Sequence, residues 1–265
     1  MRKKKAEGAQ IMVGVYFSGT GNSRHSLEVF CKEIAVDTKV ISIEEEGITD
    51  AIKGDDTIVI AYPVQYSTVP IFLRDFVTDN STLWNGKKIF VIATMGMFSG
   101  DGAGMLGRLL KKYGAEIVGG LHVKMPDNIT DVKLLKHPME VYREIVRKSD
   151  EKVRRSAQSF KAGKPKKEGL NVFYRLAGFF GQRLYFGHMT KKYSDKLKID
   201  KDQCIGCGKC ETLCPTKNIT IKDQKAVAGS HCTMCYRCIN NCPKKAITLL
   251  GKTVGEQWRI DRFAD

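Results

Sequence analysis

The sequence predicts an α/β domain with a doubly wound parallel sheet, followed by a helical segment and a small cysteine-rich α+β domain. Three observations lead to this fold class. Short apolar runs alternate with amphipathic helical patterns through residue 130, no strand pattern occurs in residues 131–200, and eight of the nine cysteines follow residue 203. At 265 residues the chain exceeds the usual size of one domain, so two unequal domains are expected.

The first predicted strand, Gln10–Phe17, leads directly into a glycine loop and then an amphipathic helix. This loop offers hydroxyls and backbone N–H groups to a phosphate at a helix N-terminus. Neither the ATP/GTP P-loop nor the G-x-G-x-x-G dinucleotide loop is present, because no Lys follows the glycines and Arg24 occupies the third Gly position. Since no cation is required, the loop suits one terminal phosphate monoester such as that of FMN; its residues are Ser18, Gly19, Thr20, Gly21, Asn22 and Ser23.

Further strands are predicted at Thr57–Ala61, Lys88–Thr94 and Ile117–Val123, with helices between them at Pro70–Val77 and Gly104–Tyr113. Loops at the carboxyl ends of such strands bind ligands. Those after Thr57–Ala61 and Lys88–Thr94 supply aromatic or thioether surface and small residues for a flavin ring. The candidate residues are Pro63, Val64, Gln65 and Tyr66, then Thr94, Met95, Gly96, Phe98, Gly100, Asp101 and Gly102.

With these three loops, residues 10–130 resemble flavodoxin. The resemblance implies a five-stranded parallel sheet of order 2-1-3-4-5 with bound FMN. The alternative is a sheet of this kind that has lost its cofactor, with Tyr66 and Phe98 merely packed. Flavodoxins are typically acidic, whereas residues 1–130 carry fifteen basic and fifteen acidic side chains, which leaves the choice of partner open.

The cysteines form one motif that occurs twice. In each copy, two residues separate each of three successive cysteines, and a Cys-Pro pair follows after three more residues. Three such thiolates bind three irons of one cube, and the fourth cysteine crosses to the other cluster. Zinc is the alternative, but it needs only four thiolates and leaves the third Cys and the Pro of each half unexplained. Disulfides are less expected, since the spacing is regular and no signal peptide is visible. The predicted ligands are Cys204, Cys207, Cys210 and Cys242 for cluster 1, and Cys232, Cys235, Cys238 and Cys214 for cluster 2.

On this pattern, residues 198–250 resemble bacterial two-cluster ferredoxins. The two halves in this order resemble fused flavodoxin–ferredoxin proteins found mainly in anaerobes, which implies electron transfer. The remaining Cys31 is expected to be a packed core thiol. The loop Met125-Pro126-Asp127-Asn128 is expected at the junction of the two halves, with a simple turn as the alternative.

Much of the net charge of +15 lies in residues 131–200, which carry eighteen basic and eight acidic side chains. Helices are predicted at Met139–Phe160 and Leu170–Phe186, and the apolar face of the second is expected to pack between the domains. The basic residues form a solvated face, a docking surface for an acidic redox partner, or a site for nucleic acid or anionic lipid. No transmembrane segment and a cytoplasmic location are expected, because basic residues interrupt the one candidate stretch. The expected apolar face consists of Phe173, Leu176, Phe180 and Leu184.

The expected organisation is a basic disordered tail (1–9), an FMN domain (10–130), a basic helical connector (131–197), a two-cluster domain (198–250) and a C-terminal tail (251–265). The leading hypothesis is an electron-transfer protein that exchanges electrons between FMN, two 4Fe–4S clusters and a separate redox partner. No acid–base or nucleophile set is recognisable. The first alternative is a flavin-dependent reductase whose substrate pocket is bordered by Tyr66, Phe98 and Asn128. The second is a redox- or oxygen-responsive regulator.

Overall fold

The computed structural model describes residues 12–35, 38–97, 100–135, 137–186 and 188–262. The predicted basic tail and Phe98 lie outside these residues. The first part of the chain forms a five-stranded parallel sheet in the order β2-β1-β3-β4-β5, which confirms the predicted fold class. The strands are β1 Met12–Tyr16, β2 Val40–Ser42, β3 Thr57–Pro63, β4 Lys88–Met95 and β5 Glu116–Lys124.

The central strands β3 and β4 are nearly continuous apolar runs because helices cover both faces of the sheet. On one face, the core contains side chains of the second, third and fourth helices. On the other face, the core contains side chains of the first and fifth helices. The helices are α1 Asn22–Ile34, α2 Ile48–Gly54, α3 Ile71–Asp79, α4 Gly102–Lys111 and α5 Met139–Lys161.

Helix α5, which the sequence analysis places in the connector, packs on the sheet. Its apolar stripe includes Tyr142, Val146, Val153 and Phe160, all of which belong to the same core cluster as α1. The ring of Phe160 contacts Phe30 of α1 edge-on, at a centroid distance of 5.7 Å. Helix α5 therefore completes the second helical layer of the first domain.

A second helical stretch follows, but its apolar face is exposed, so the expected packing between the domains is wrong. Phe173 and Phe180 are 77% and 63% exposed. The opposite side of the stretch makes the contacts, because the ring of Tyr174 packs edge-on against His122 at 5.5 Å and Arg183 forms an ion pair with buried Asp101. The stretch comprises α6 Val172–Gly178, a π-helical turn Phe179–Arg183, α7 Leu184–Phe186 and α8 Met189–Lys192.

The cysteine-rich part is a small α+β domain with two antiparallel strand pairs. Strand β6 pairs with β9, and β7 pairs with β8. Each half contributes one short helix, which contains the third cysteine of its motif. The elements are β6 Lys198–Ile199, α9 Lys209–Leu213, β7 Ile219–Lys222, β8 Lys225–Ala228, α10 Arg237–Asn241 and β9 Ile247–Thr248.

After β9 the chain returns to the first domain. Trp258 is buried and its ring lies 4.5 Å from that of Tyr142 in α5. The Ile260 N–H donates to the Thr20 carbonyl at 3.0 Å. The C-terminal segment, described as far as residue 262, thus ties the cysteine-rich domain to the first glycine loop.

Candidate cofactor sites

A cavity of about 350 Å³ lies at the carboxyl ends of the sheet strands, within the size range of small-molecule sites. The loops after β1, β3, β4 and β5 form most of its wall. Most of the residues predicted to bind FMN line this cavity: Ser18, Gly19, Thr20, Asn22, Ser23, Pro63, Val64, Gln65, Tyr66, Thr94, Met95 and Gly96.

The glycine loop forms the end of the cavity that suits a phosphate. Gly21 has a φ of 95°, and α1 begins directly after it with no side-chain cap and no acidic residue in its first turn. The Gly21 N–H donates to Ser18 Oγ at 3.1 Å, which holds the loop in shape. Uncapped N–H groups and the positive end of the helix dipole therefore favour an anion here.

The loop after β3 has a conformation and a polar atom that fit a ring with imide N–H groups. Tyr66 and Ser67 have φ angles of 46° and 55°, which cost free energy for residues other than glycine and occur often at functional sites. The Gln65 Nε2 donates to the Met234 carbonyl at 3.2 Å, whereas its Oε1 is buried on the cavity wall without a hydrogen-bond partner. An isoalloxazine N–H would satisfy this acceptor.

Four predicted FMN residues that the structure describes do not line the cavity. Gly21 faces Ile260 instead, and Gly100 packs against the backbone of Gly178. Gly102 offers its carbonyl to the hydroxyl of Tyr62. Asp101 is fully buried and forms ion pairs with Arg108 and Arg183, because a buried carboxylate needs compensating charge. Phe98, a fifth, is not described.

The loop after β5 lies at the junction of the two domains, as the sequence analysis expects. The Asn128 side-chain amide donates to the Cys235 carbonyl at 3.3 Å, and the Asn128 carbonyl accepts from the Asn240 side chain at 2.9 Å. Asp127 lines the cavity beside Gly96, and burial raises the pKa of its carboxyl. Asp131, just beyond, accepts hydrogen bonds from the Tyr236 hydroxyl and from three backbone N–H groups of residues 249–251.

The cysteine-rich domain supplies part of the cavity wall, which sequence reasoning missed. Met234 and Tyr236 line the cavity and flank Cys235. Both have left-handed backbones, with φ angles of 53° and 60°, and the equivalent positions of the first motif are Gly206 and Gly208 at 66° and 73°. Replacing glycine by larger residues in this conformation costs about 1–2 kcal/mol each. The sequence shows this difference, because Met234 and Tyr236 replace the two glycines of the first motif. This replacement could have identified the second motif as part of the cavity wall.

The two sets of predicted cluster ligands line two separate cavities of the cysteine-rich domain. One is lined by the first set, Cys204, Cys207, Cys210 and Cys242. The other is lined by the second set, Cys214, Cys232, Cys235 and Cys238. In each cavity one thiol comes from the other motif, which is the crossed grouping that the spacing predicts. Ligation itself stays a prediction.

The environment of these thiols fits iron cubes. Burial raises the pKa of Cys235 to about 12, and burial with the nearby thiols raises that of Cys238, so both thiols stay protonated until a cation displaces their protons. Backbone N–H groups approach the sulfurs of both sets, as from Asn218 to Cys214 at 3.2 Å and from Ala246 to Cys242 at 3.4 Å. No three His, Cys, Asp or Glu side chains of the described chain are arranged to hold a single metal ion. Four thiols that line one cavity, with backbone N–H groups directed at their sulfurs, fit an iron cube.

The second cysteine set lies directly against the glycine loop. A Cβ added to Gly19 would lie 2.0 Å from the Cys235 carbonyl oxygen, so the two backbones are in contact. Arg237 follows in the same motif and donates to both carboxylate oxygens of Glu44, at 2.7 and 2.6 Å, and to the Ser18 carbonyl at 2.7 Å. This bidentate ion pair is the strong kind, and it fixes the position of the cysteine loop on the first domain.

Comparisons with known proteins give matches to both parts of the chain. Residues 196–243 match the model of the 4Fe–4S dicluster domain. The chain is similar to the solution structure of two-electron reduced Megasphaera elsdenii flavodoxin, with 26% identity over 44% of this chain and 89% of that one, and a TM-score of 0.38. It is also similar to a flavodoxin from the domain Archaea (17%, 57% and 96%, TM-score 0.42) and to oxidised flavodoxin 2 from Bacillus cereus (17%, 57% and 98%, TM-score 0.40). No curated protein matches the chain significantly.

The chain therefore joins a flavodoxin-like fold, established by its strand order, to a 4Fe–4S dicluster domain. This is the composition of a fused flavodoxin–ferredoxin, and it supports a flavin and iron–sulfur electron-transfer protein. Within the part of the chain that the structure describes, no helix has the length and apolar character needed to cross a membrane.

Proposed function

We propose that this protein exchanges electrons between FMN, two 4Fe–4S clusters and a separate redox partner. In this proposal, FMN occupies the 350 Å³ cavity with its phosphate on the glycine loop. The first cysteine set holds the first cluster and the second set holds the second. When bound, FMN supplies one- and two-electron chemistry, and each cluster passes single electrons.

The observation that carries the proposal is the wall shared between the cavity and the second cysteine set. Met234 and Tyr236 line the cavity, and Cys235 between them lines the adjacent cluster cavity. The Cys235 carbonyl also contacts Gly19 and accepts a hydrogen bond from the Asn128 side chain. The glycine loop and the loop after β5 therefore both contact Cys235, a proposed ligand of the second cluster. A cofactor bound here would have a cluster as its immediate neighbour.

The burial of the cysteines supports an order for the electron route. In the second set, Cys235 and Cys238 are buried and Cys235 contacts the first domain, whereas Cys207 of the first set is exposed. The neighbouring Ile205 is 57% exposed, and Lys209 and Lys244 line the same cavity. A partner with an acidic surface would therefore meet the first cluster, and the second would connect it to the flavin.

The residues of the cavity have defined tasks in this scheme. The glycine loop binds the phosphate through backbone N–H groups. Gln65 orients the ring through its buried Oε1. Tyr236 and Met234 exclude water between the two cofactors, and Arg237 keeps the two domains in register through Glu44.

Anaerobic purification followed by reductive titration tests the proposal. We expect about eight irons and one FMN per chain, with flavin and cluster absorption bleaching in linked steps. After rapid mixing with dithionite, electrons that enter the clusters should reduce the flavin within the same molecule, at a rate independent of protein concentration. Cofactors that load but do not exchange electrons would contradict the proposal. Sustained turnover of a small molecule by the reduced flavin would favour the reductase alternative instead.

A further inference from the structure

The second helical stretch exposes a set of large apolar side chains on its outer side. Their exposed fractions range from 46% to 77%, and they recur over little more than three helical turns. Contiguous exposed apolar surface of this kind marks an interaction site. We call the set the apolar helix face: Val172, Phe173, Leu176, Phe179, Phe180 and Leu184.

This stretch is held on the first domain by its inner side. Gly178 packs against Gly100 so closely that a Cβ on Gly100 would lie 2.1 Å from the Gly178 Cα. Arg183 pairs with fully buried Asp101 at 2.9 Å, and its guanidinium also donates to the Arg175 carbonyl at 3.0 Å. The outward orientation of the apolar helix face is therefore imposed by buried contacts on the other side.

A cationic cleft lies at the foot of the same stretch. Between α4 and the start of α6 there is a cavity of about 230 Å³ whose wall includes Lys111, Arg175 and Arg108, beside apolar Leu170 and Val172. Arg108 already pairs with Asp101, so Lys111 and Arg175 carry the remaining positive charge of the cleft. Among the described residues that line it, none is acidic. Residues 169–194 contain four Lys or Arg and no Asp or Glu. The cleft and the helix thus combine positive charge with apolar surface.

We propose that the apolar helix face and the cationic cleft dock together on an anionic phospholipid surface. Phe and Leu side chains that project from a helix enter the boundary between headgroups and acyl chains, and adjacent cations bind the phosphates. The apolar residues project outward instead of lining a groove, which suits a fluid surface better than the complementary surface of an acidic protein. In this docking the stretch would lie in the plane of the interface, with the apolar helix face toward the acyl chains.

Vesicle flotation with the full-length, cluster-loaded protein tests this docking. We expect binding to vesicles of phosphatidylglycerol and phosphatidylcholine, weak binding to phosphatidylcholine alone, and a steep loss of binding as salt is raised. The double variant Phe173→Ser/Phe180→Ser should lower the partition coefficient more than tenfold, because each Phe contributes its buried apolar area. Lys111→Gln should lower it about fivefold, since one cation near an anionic surface contributes about 1 kcal/mol.

The matched control is Leu134→Ser, which removes an 89% exposed apolar side chain outside this face and should leave partitioning unchanged. Iron content and thermal unfolding report whether each variant folds. If a variant does not fold, the salt dependence of vesicle binding by the unmodified protein still tests the proposal. Equal binding to both kinds of vesicle, or an equal loss in the control, would overturn the proposal. Absence of binding to the phosphatidylglycerol vesicles would also overturn it, and a dimer that Phe173→Ser/Phe180→Ser dissociates would then show that a second copy covers the face.

Discussion

Gly19 is the position where one added methyl group tests the contact between the glycine loop and the cysteine loop. In Gly19→Ala the new Cβ would lie 2.0 Å from the Cys235 carbonyl oxygen, where ordinary contact begins at 3.4 Å. The shortfall of 1.4 Å falls on backbone, which cannot rotate away as a side chain can. The loops must separate, and overpacking of this kind costs about 1–3 kcal/mol.

We expect Gly19→Ala to keep both clusters but to bind FMN about 10- to 100-fold more weakly and to slow flavin reduction by the clusters. Iron and sulfide analysis, fluorescence titration with FMN and anaerobic stopped-flow absorption measure these three quantities. The matched control is Gly54→Ala at the end of α2, where nothing lies within 4 Å of the added Cβ. It should match the unmodified protein in all three.

Two results would refute this reasoning. If Gly19→Ala binds FMN and passes electrons as the unmodified protein does, the loops are not in the tight contact described. If Gly19→Ala loses iron as well as FMN affinity, the cysteine-rich domain depends on the glycine loop for its own folding. The contact would then be structural and would not identify an electron route.

Three further predictions follow from the same structure. Met234→Gly should retain iron but lower the free energy of unfolding by about 1–3 kcal/mol, because the loss of a buried core side chain outweighs the relief of a left-handed backbone. It should also weaken FMN binding by removing cavity wall, and unchanged FMN affinity would contradict this. Cys214→Ala should damage the cluster of the distant triplet and spare its sequence neighbours, as seen by electron paramagnetic resonance, and the reverse pattern would overturn the crossed grouping. Burial lowers the pKa of His122 from 6.5 to about 4. As the pH falls below 6.5, His122 is therefore protonated in the unfolded chain but still neutral in the folded protein. The free energy of unfolding should accordingly rise by up to about 3 kcal/mol from pH 4 to pH 6.5. Chemical denaturation of the unmodified protein and of His122→Gln across this range measures the His122 contribution as the difference between the two curves. A difference of the opposite sign would show that His122 is stabilised in its charged form.

The sheet and the positions of its loops were predictable because they depend on local patterns. Runs such as Lys88–Thr94 are apolar at every inner position, so they can lie only in a sheet that is covered on both faces. The spacing of the cysteines predicts the crossed grouping because two-residue spacers restrict which thiols can reach one cube. Gly100 and Asp101 were assigned to the cavity from their place in the chain. Their loop turns toward α6, and Arg108 of α4 and Arg183 of the π-helical turn neutralise the carboxylate.

The apolar face at Phe173 and Phe180 shows a limit of periodicity. A helical pattern reveals which side chains share a face, but the partner of that face depends on the rest of the fold. Here Gly178 and Arg183 make the buried contacts, because a glycine permits close approach of two backbones and Asp101 requires a counter-charge. Large apolar side chains therefore point outward, contrary to the usual rule.

By itself, the sequence determined the sheet, the glycine loop and the eight cysteines in two motifs, since these are set by residue type and short-range spacing. The tertiary structure alone decided that Cys235 meets Gly19 and that Met234 and Tyr236 complete the cavity of about 350 Å³. Those contacts join positions more than two hundred residues apart in the case of Gly19 and Cys235, and no local pattern encodes such a pairing. It depends on the Arg237–Glu44 ion pair, the Asp131 hydrogen bonds and the return of Trp258, which together fix how the two domains pack.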